Sequence, residues 1–333
     1  MNGAIIGFGE AAQHGHWPAY ARSDELSIVA VVDRTADRRR VAEGLAPELR
    51  TYASLADLAA AETLDFVDIC TPPALHVEPM LAAIAQGWHV VCEKPFILDV
   101  AALERARACA RERQVAVVPV HNWKHAPIVA DATVRLRQGA IGALERIDIE
   151  VERLRDFKGA DPDKPNWRRD PAIAGGGILM DHGWHAVYLT LAWFGERPDR
   201  VDARFHKPAA DAVEDEADVT LSFPNGVATI RLTWNGTVRR NTIRLSGSAG
   251  TIALADDRLI LRSAAGAEDV RYPQALSAGS HHADWFSALV PQLASWFRDP
   301  ASSRDAFDEA AACLDIVQRA YRTDAAKSRS GPQ

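Results

Sequence analysis

Short apolar runs, separated by glycine, proline and charged residues, dominate the first third of the chain. These runs cover residues 4–6, 26–32, 66–70, 88–92 and 115–120. Continuous apolar runs of this length, bounded by turn-forming residues, are typical of buried strands in a parallel sheet. Strands that alternate with helix-length segments indicate βαβ units. The pattern therefore predicts an α/β domain at the start of the chain.

After Pro127 the apolar and polar positions alternate strictly. The alternating segments are residues 145–152, 219–223, 229–234 and 242–245. Alternation puts apolar side chains on one face of a strand and polar ones on the other. Pro224-Asn225-Gly226 predicts a hairpin turn between two of these strands. We therefore expect a mostly antiparallel sheet with one face on the core, and helices over residues 131–138, 281–297 and 304–321.

A glycine motif follows the first apolar run. Gly7-Phe8-Gly9-Glu10-Ala11-Ala12 has the pattern G-x-G-x-x-A, and Asp33 ends the second run. Such glycines allow a tight turn and close approach of a pyrophosphate, and the acid accepts hydrogen bonds from ribose hydroxyls. We predict a dinucleotide site that favours NAD over NADP, because a carboxylate repels a 2′-phosphate. Arg34 and residues 38–40 could neutralise a phosphate, but we interpret that basic run as a solvated helix face.

Two polar motifs follow later predicted strands, where parallel sheets bind their ligands. Thr71-Pro72-Pro73 is one motif, and Glu93-Lys94-Pro95 is the other. The ammonium of Lys94 can donate to a substrate oxygen and stabilise a developing alkoxide. The alternative is a structural pair with Glu93, and we favour the functional role. His76 is better explained as a loop or helix-start residue than as a catalyst.

The segment from Gly175 to His185 combines three glycines with a predicted helix. Glycines let the backbone run against a ligand or another segment. Asp181 and His185 stand four residues apart, so a helix places them on one face. Such a pair can hold a substrate hydroxyl and remove its proton, or it can simply face water.

Length, charge and cysteine content narrow the class of protein. The 333 residues suggest two domains, and 47% hydrophobic with 25% charged residues is ordinary for a globular protein. A formal charge of −7 argues against a general nucleic-acid binder. We find no membrane span and no signal peptide. Four cysteines without a Cys-x-x-Cys pair suggest reduced thiols in a cytoplasmic protein, and no metal site is predicted.

Taken together and in this order, the motifs resemble the glucose–fructose oxidoreductase/inositol dehydrogenase family (Gfo/Idh/MocA), over residues 4 to about 325. The resemblance implies that Lys94, Asp181 and His185 are catalytic. It also implies NAD or NADP as cofactor and a ring carbon of a sugar or cyclitol as the reacting centre. Trp167 and Arg168 match a Trp-Arg pair that lies near the nicotinamide in the family.

One segment departs from the family pattern. Many members have Asn-Arg-Arg where this chain has Asn122-Trp123-Lys124. Trp123 could stack on a substrate or fill the domain junction, and the roles of Lys124, His281 and His282 stay open. The predicted substrate contacts are Lys94, Asn122, Trp123, Asp181 and His185. The predicted cofactor contacts are Gly7, Phe8, Gly9, Glu10, Ala11, Asp33, Arg34, Thr71, Pro72, Pro73, His76, Glu93, Lys94, Trp167 and Arg168.

We expect an α/β fold with a Rossmann domain over residues 1–122. An α/β domain with an open, mostly antiparallel sheet should follow over 123–325, with a tail at 326–333. The resemblance implies a homodimer or homotetramer built on that sheet. The predicted reaction is NAD-dependent oxidation or reduction of a ring secondary alcohol, with His185 as base. Two alternatives stay open: a tightly bound NAD that cycles within one turnover (epimerisation, elimination or glycoside cleavage), and a non-catalytic NAD- or sugar-sensing protein.

Overall fold

The computed structural model describes residues 1–156 and 166–330, and for 328–330 it describes the backbone alone. The chain forms two compact units. The first contains Met1–Asn122 together with His281–Ala311, and the second contains Trp123–Ser280 together with the chain from Ala312. Each unit has its own sheet.

The first 122 residues form a parallel sheet with intervening helices, as the apolar runs predict. Its strands are β1 Asn2–Ile6, β2 Ser27–Val32, β3 Arg50–Tyr52, β4 Phe66–Ile69, β5 His89–Cys92 and β6 Val117–Pro119. Its helices are α1 Trp17–Tyr20, α2 Ala36–Leu45, α3 Leu55–Ala61, α4 Val77–Ala85 and α5 Val100–Arg113. The strand order β3-β2-β1-β4-β5-β6, with every pair parallel, is that of a Rossmann fold. The order reverses between β1 and β4, so a ligand crevice is expected beyond the carboxyl ends of these two strands.

The remaining residues form an open sheet of eight strands and several helices. The strands are β7 Leu144–Glu152, β8 Arg200–His206, β9 Glu216–Phe223, β10 Gly226–Thr233, β11 Arg240–Gly247, β12 Gly250–Ala255, β13 Arg258–Ser263 and β14 Gly266–Arg271. The helices are α6 Pro127–Arg137, α7 Pro171–Ala174, α8 Trp184–Phe194, α9 Ala283–Arg298 and α10 Arg304–Ser330. The sheet order is β14-β13-β12-β11-β7-β10-β9-β8, and only the β7–β10 pair is parallel.

The four alternating segments predicted from the sequence are strands β7, β9, β10 and β11. Pro224 and Asn225 form a two-residue hairpin loop, because Phe223 pairs with Gly226. Along β7 the side chains of Ile147, Ile149 and Val151 are buried. The mostly antiparallel sheet with one apolar face is therefore confirmed.

The opposite face of this sheet carries charges that pair across and along strands. Arg146 Nη2 lies 2.6 Å from Asp148 Oδ1 on the same strand. Arg240 Nη2 lies 3.0 Å from Glu152 Oε2 on the neighbouring strand. This face is polar and exposed, in contrast to the apolar face that covers the core.

Helix α9 returns to the first unit, although we expected both closing helices in the second domain. Its residues Phe286, Leu293 and Phe297 are buried in one core with Ile5 and Phe66 of the parallel sheet. The apolar face of the helix thus completes the core of the Rossmann unit. Helix α10 extends through residues 326–330, where we expected a tail.

Among the described residues, none of the helices combines the length and the apolar character that crossing a bilayer requires.

Candidate functional site

The glycine turn after β1 has two glycines with different physical roles. Gly7 has φ +88°, and a Cβ there would lie 2.8 Å from a side-chain carbon of Thr71. A Cβ at Gly9 would meet no protein atom within 4 Å. Gly7 is therefore required by the turn itself, whereas Gly9 borders open space at the start of the following helical segment. Such space suits the close approach of a pyrophosphate.

The residues between and after these glycines contribute in unequal ways. Phe8 is a core residue, and its backbone N–H donates to Asp33 Oδ2 at 2.9 Å. Glu10 Oε2 lies 3.5 Å from His14 Nε2 and 4.0 Å from His281 Nε2. The side chain of Phe8 is therefore used for packing, and a cofactor contact by Phe8 would involve its backbone.

Asp33, which directly follows β2, is held in a defined orientation. It is 4% exposed, and its two carboxylate oxygens accept the backbone N–H groups of Phe8 and Thr35 at 2.9 and 2.8 Å. Arg38 Nη1 lies 3.5 Å from Asp33 Oδ2, and Arg39 Nη1 donates to the Asp33 carbonyl at 2.6 Å. The predicted ribose acid thus has a cation beside it, while the neighbouring Arg34 is exposed.

His76 links the two motifs that follow β4 and β5. It is fully buried, with Nε2 2.7 Å from the carbonyl oxygen of Thr71 and Nδ1 3.1 Å from that of Phe96. Burial lowers the pKa of His76, and a neutral ring donates to only one of these carbonyls. The His76 side chain therefore lies between two backbone carbonyl groups and donates a hydrogen bond to one of them. This placement agrees with its interpretation as a loop or helix-start residue. The neighbouring Pro72 and Pro73 lead into a short 3₁₀ turn.

Lys94 lies just beyond β5, on a turn shaped by Glu93. The Lys94 backbone N–H donates to Glu93 Oε2 at 2.9 Å, and the Lys94–Pro95 peptide bond is cis. Asn122, just after β6, has a buried Oδ1 atom for which the described residues provide no hydrogen-bond partner. An orphaned buried polar atom of this kind fits a bound ligand.

In the second unit, close packing explains the three consecutive glycines at 175–177, which we call the glycine block. A Cβ at Gly176 would lie 2.0 Å from the hydroxyl of Tyr321, and one at Gly177 would lie 1.9 Å from the carbonyl oxygen of Glu214. Gly175 has φ +79° and ends α7. The three glycines therefore let this segment run directly against Glu214 and Tyr321.

Glu214 anchors the start of the helical segment that carries Asp181 and His185. Its side chain is 1% exposed overall, and Oε1 accepts the backbone N–H groups of Gly177 and Leu179 at 2.9 and 3.1 Å. The Tyr321 hydroxyl donates to the same oxygen at 2.7 Å. Burial raises the pKa of Glu214 despite these donors. Sequence reasoning missed this residue, because a lone glutamate before a strand carries no distinctive signal.

Asp181 lies in a π-helical turn, Leu179–Gly183, that continues into α8. Its Oδ2 is 3.5 Å from Arg168 Nε and 3.4 Å from His182 Nδ1. The guanidinium carbon of Arg168 lies 4.2 Å from the centroid of the Trp167 ring. Within the second unit, the structure thus brings together Asp181 and the predicted Trp167-Arg168 pair. π-helical turns are often found at functional sites.

His185 is held by two aromatic residues. It is 6% exposed; its ring stacks on Trp123 with centroids 4.5 Å apart and 11° between the planes. His185 Nδ1 lies 2.8 Å from the hydroxyl oxygen of Tyr188, which also accepts the Trp123 backbone N–H at 3.0 Å. Lys124 Nζ lies 5.9 Å from the centroid of the Tyr188 ring. Trp123 therefore packs against His185. Tyr188 is a further residue of the site, and its position three residues after His185 could have suggested it.

The remaining candidate histidines, His281 and His282, lie in the first unit. His282 stacks on Trp285 with centroids 3.5 Å apart, and the His281 carbonyl oxygen lies 2.9 Å from where a Cβ of Gly15 would be. Lys94 lies in the first compact unit, and Asp181 and His185 lie in the second. Their action on one substrate stays a prediction.

Two family models match the chain. One, described as "Oxidoreductase family, NAD-binding Rossmann fold", matches residues 1–121. The other, described as "GFO/IDH/MocA C-terminal domain", matches residues 129–253. The two models thus match both the parallel-sheet unit and the first part of the open-sheet unit.

Curated relatives and solved structures show the same likeness. A D-glucoside 3-dehydrogenase of Escherichia coli is 30% identical over 246 residues, which are 67% of each chain. A levoglucosan dehydrogenase of Pseudarthrobacter phenanthrenivorans is 29% identical over 58% of this chain and only 55% of its own length. An oxidoreductase from Agrobacterium radiobacter, solved with NAD+, L-tartaric acid and magnesium, has a TM-score of 0.82 at 21% identity. That alignment covers 98% of this chain and 96% of the other. At that identity the solved structure shows a shared fold.

The close packing at Gly177 gives a stability prediction. Gly177→Ala would drive a methyl group into the Glu214 backbone, so we expect the free energy of unfolding to fall by about 3 kcal/mol or more. Gly44→Ala is the control. Gly44 lies on helix α2, and a Cβ there would meet no atom within 4 Å. Its replacement should leave the free energy of unfolding unchanged or raise it by up to about 1 kcal/mol. Thermal and urea unfolding measure both. An unchanged melting temperature for Gly177→Ala would contradict this account of the glycine block.

Proposed function

The chain belongs to the Gfo/Idh/MocA family of oxidoreductases, and we propose that it oxidises or reduces a ring secondary alcohol of a sugar or cyclitol with NAD. The observation that carries the proposal is the contact of His185 with Trp123 and Tyr188, in a chain that also has a dinucleotide turn. A sensor needs no positioned proton-transfer group. The names of the relatives, a levoglucosan dehydrogenase and a D-glucoside 3-dehydrogenase, support a sugar as the substrate class.

The first unit fits a dinucleotide. Gly9 leaves open space for the pyrophosphate. Asp33 is held in one orientation and can accept hydrogen bonds from ribose hydroxyls. The buried amide oxygen of Asn122 can accept a hydrogen bond from a ligand. Bound NAD supplies the acceptor or donor of the carbon-bound hydrogen. The residues of the chain bind it, orient the alcohol and move the hydroxyl proton.

His185 is the proposed base. Its Nδ1 contacts the Tyr188 hydroxyl, which has one donor and two acceptor sites. When Nδ1–H donates to Tyr188, Nε2 carries the lone pair that takes a proton from the substrate. Once protonated at Nε2, the ring carries N–H groups at both nitrogens; Nδ1–H still donates to Tyr188, and Nε2–H can return its proton to an alkoxide. The same contact thus serves both directions of the reaction.

Lys94 and Asp181 complete the proposed chemistry. The Lys94 ammonium hydrogen-bonds the reacting oxygen and stabilises its alkoxide character. Asp181, whose carboxylate already faces Arg168, holds a neighbouring hydroxyl of the substrate. A polyhydroxylated ring offers such adjacent hydroxyls, whereas a simple alcohol does not.

Cofactor preference tests the role of Asp33. We expect calorimetry to show tighter binding of NAD than of NADP, and Asp33→Ala to narrow the difference by roughly tenfold, the scale of one charge-assisted hydrogen bond. Glu48→Ala, which removes an exposed acid of the same unit, should leave the preference unchanged. Tighter binding of NADP by the unaltered protein would mean that Arg38 and its neighbours outweigh Asp33.

Replacement of His185 and Lys94 tests the chemistry. His185→Ala and Lys94→Ala should each lower turnover of a polyol substrate by about a hundredfold or more, the scale of a positioned acid–base group. The affinity for NAD should change far less with His185→Ala. Because the two residues act on one oxygen, the double variant should cost less than the product of the single effects.

Tyr188→Phe refines this test. It keeps the aromatic ring beside His185 but removes the hydroxyl, so turnover should fall less than in His185→Ala. Tyr272→Phe is the matched control, because it removes a tyrosine hydroxyl bound to Asp131 elsewhere in the second unit. Near-normal turnover in His185→Ala would refute the assignment of the base. Accumulation of NADH with a polyol supports net oxidation, and its absence during product formation would refute it.

We also propose that the charged face of the open sheet joins copies of the chain into a homodimer or homotetramer. Charged side chains of both signs alternate on this face, which suits pairing with a second copy. Light scattering at micromolar concentration should show an oligomer, and Arg231→Glu should weaken it, because Arg231 lies 3.5 Å from Glu150 there. Arg40→Glu, on α2 of the first unit, is the control. A monomer for the unaltered chain would refute the proposal.

A further inference from the structure

A buried ionic cluster lies beneath the glycine turn of the first unit. His16 ends the π-helical segment Ala12–His16 and is 2% exposed. Its Nδ1 lies 2.7 Å from Asp68 Oδ2, and its Nε2 lies 2.9 Å from Glu93 Oε1. Both ring nitrogens therefore face carboxylates, and the ring stacks on Phe286 of α9 with centroids 3.9 Å apart.

The two contacts define the charge of the ring. Burial alone disfavours a charged imidazole, but the fully buried Asp68 carboxylate outweighs it and raises the pKa of His16 well above its ordinary value. Burial by itself likewise favours a raised pKa of the Glu93 carboxyl group. The contact with His16 outweighs burial, so the pKa of Glu93 is lowered. An imidazolium that donates to two carboxylates satisfies all of these groups.

The cluster is a hydrogen-bonded network. Cys70 Sγ also lies near, 3.3 Å from His16 Nδ1, so three metal-ligating side chains come within 4.8 Å of one another. A separation of 2.7 Å between His16 Nδ1 and Asp68 Oδ2 is a hydrogen-bond distance, shorter than two ligands about 2.0 Å from one ion would leave. Burial raises the pKa of the Cys70 thiol to about 12, so the thiol stays protonated.

The network reaches the site through Glu93. One carboxylate oxygen of Glu93 faces His16, and the other accepts the backbone N–H of Lys94 at 2.9 Å. His16 itself is carried by the helical segment that begins at the glycine turn, where Gly9 O accepts the N–H of Gln13 at 2.9 Å. A continuous chain of contacts thus runs from the dinucleotide turn to Lys94.

We propose that His16 is a positioning residue for Lys94: by fixing Glu93 from one side, it sets the turn from which the Lys94 ammonium reaches the substrate. His16 contacts neither substrate nor cofactor in this role, and acts only through Glu93. The inference rests on the proposed function of Lys94, so its test needs one readout that does not depend on turnover.

Two variants interrupt the network at different points. His16→Gln removes the cation, and because it leaves Asp68 buried without its partner it can also destabilise the fold. Glu93→Gln preserves the Asp68–His16 pair and weakens the contacts of residue 93 with His16 and with the Lys94 backbone. Each folded variant should lose about 10- to 100-fold in kcat, the scale of a misplaced reactive group. His16 is not a predicted cofactor contact, so His16→Gln should change the affinity for NAD little. A fall in the NAD affinity of His16→Gln that accounts for its loss of kcat would overturn the proposal.

His89→Gln is the matched control. His89 begins β5, at the opposite end of that strand from Glu93, and stacks on Phe297 of α9 with centroids 4.8 Å apart. It therefore shares the stacking of His16 on α9 without the link to Lys94. Its replacement should leave kcat within about twofold, since it touches no group of the proposed chemistry.

The direct readout is the NMR signal of Lys94 in the unliganded protein. Reductive methylation with ¹³C-formaldehyde labels the six lysines of the chain, and Lys94→Arg identifies the signal of Lys94. We expect this signal to move in His16→Gln and Glu93→Gln but not in His89→Gln. An unmoved signal in both network variants overturns the positioning role. Full turnover in Lys94→Ala overturns the proposed function instead, whatever the signal of Lys94 does.

Discussion

The second unit depends on one buried carboxylate. Glu214 accepts two backbone N–H groups at the start of the helical segment and a hydroxyl from Tyr321 on α10. Burial of an acid is unfavourable unless its oxygens are satisfied, and a helix N-terminus is where unpaired N–H groups are available. Glycine is required at residues 176 and 177 because the backbone there lies too close to Tyr321 and Glu214 to leave room for a Cβ atom. The direction of the segment that carries Asp181 and His185 follows from this contact.

Both units hold a histidine between an aromatic ring and a polar partner, with opposite results. His16 stacks on Phe286 and faces two carboxylates, so it is charged and buried. His185 stacks on Trp123 and contacts a neutral hydroxyl. The first environment holds a cation between two carboxylates, and the second offers a hydroxyl that can accept or donate a hydrogen bond. The same residue type is thus structural in one place and proposed as an acid–base group in the other.

The sequence predicts most of the fold because apolar residues follow different patterns in the strands of the two sheets. Continuous runs mark the parallel strands β1, β2, β4, β5 and β6, and alternation marks β7, β9, β10 and β11. Strands β3, β8, β12, β13 and β14 were missed; β14, for example, contains almost no apolar residue and is largely exposed. The assignment of α9 failed for another reason: an apolar helix face does not say which core it covers. Glu214 was missed because its role arises only from contacts made in three dimensions, whereas the position of Tyr188, three residues after His185, could have suggested it.

The return of α9 to the first unit has a consequence for biosynthesis. The parallel sheet is formed by the first 122 residues, but its core includes Phe286, Leu293 and Phe297. During translation the sheet is therefore complete long before the helix that covers it leaves the ribosome. Apolar surface around Phe66 stays open to water or to chaperones through the synthesis of some 160 further residues, and transiently exposed surface of this kind promotes aggregation. The nucleotide-binding unit cannot be excised as the N-terminal 122 residues without leaving that surface bare.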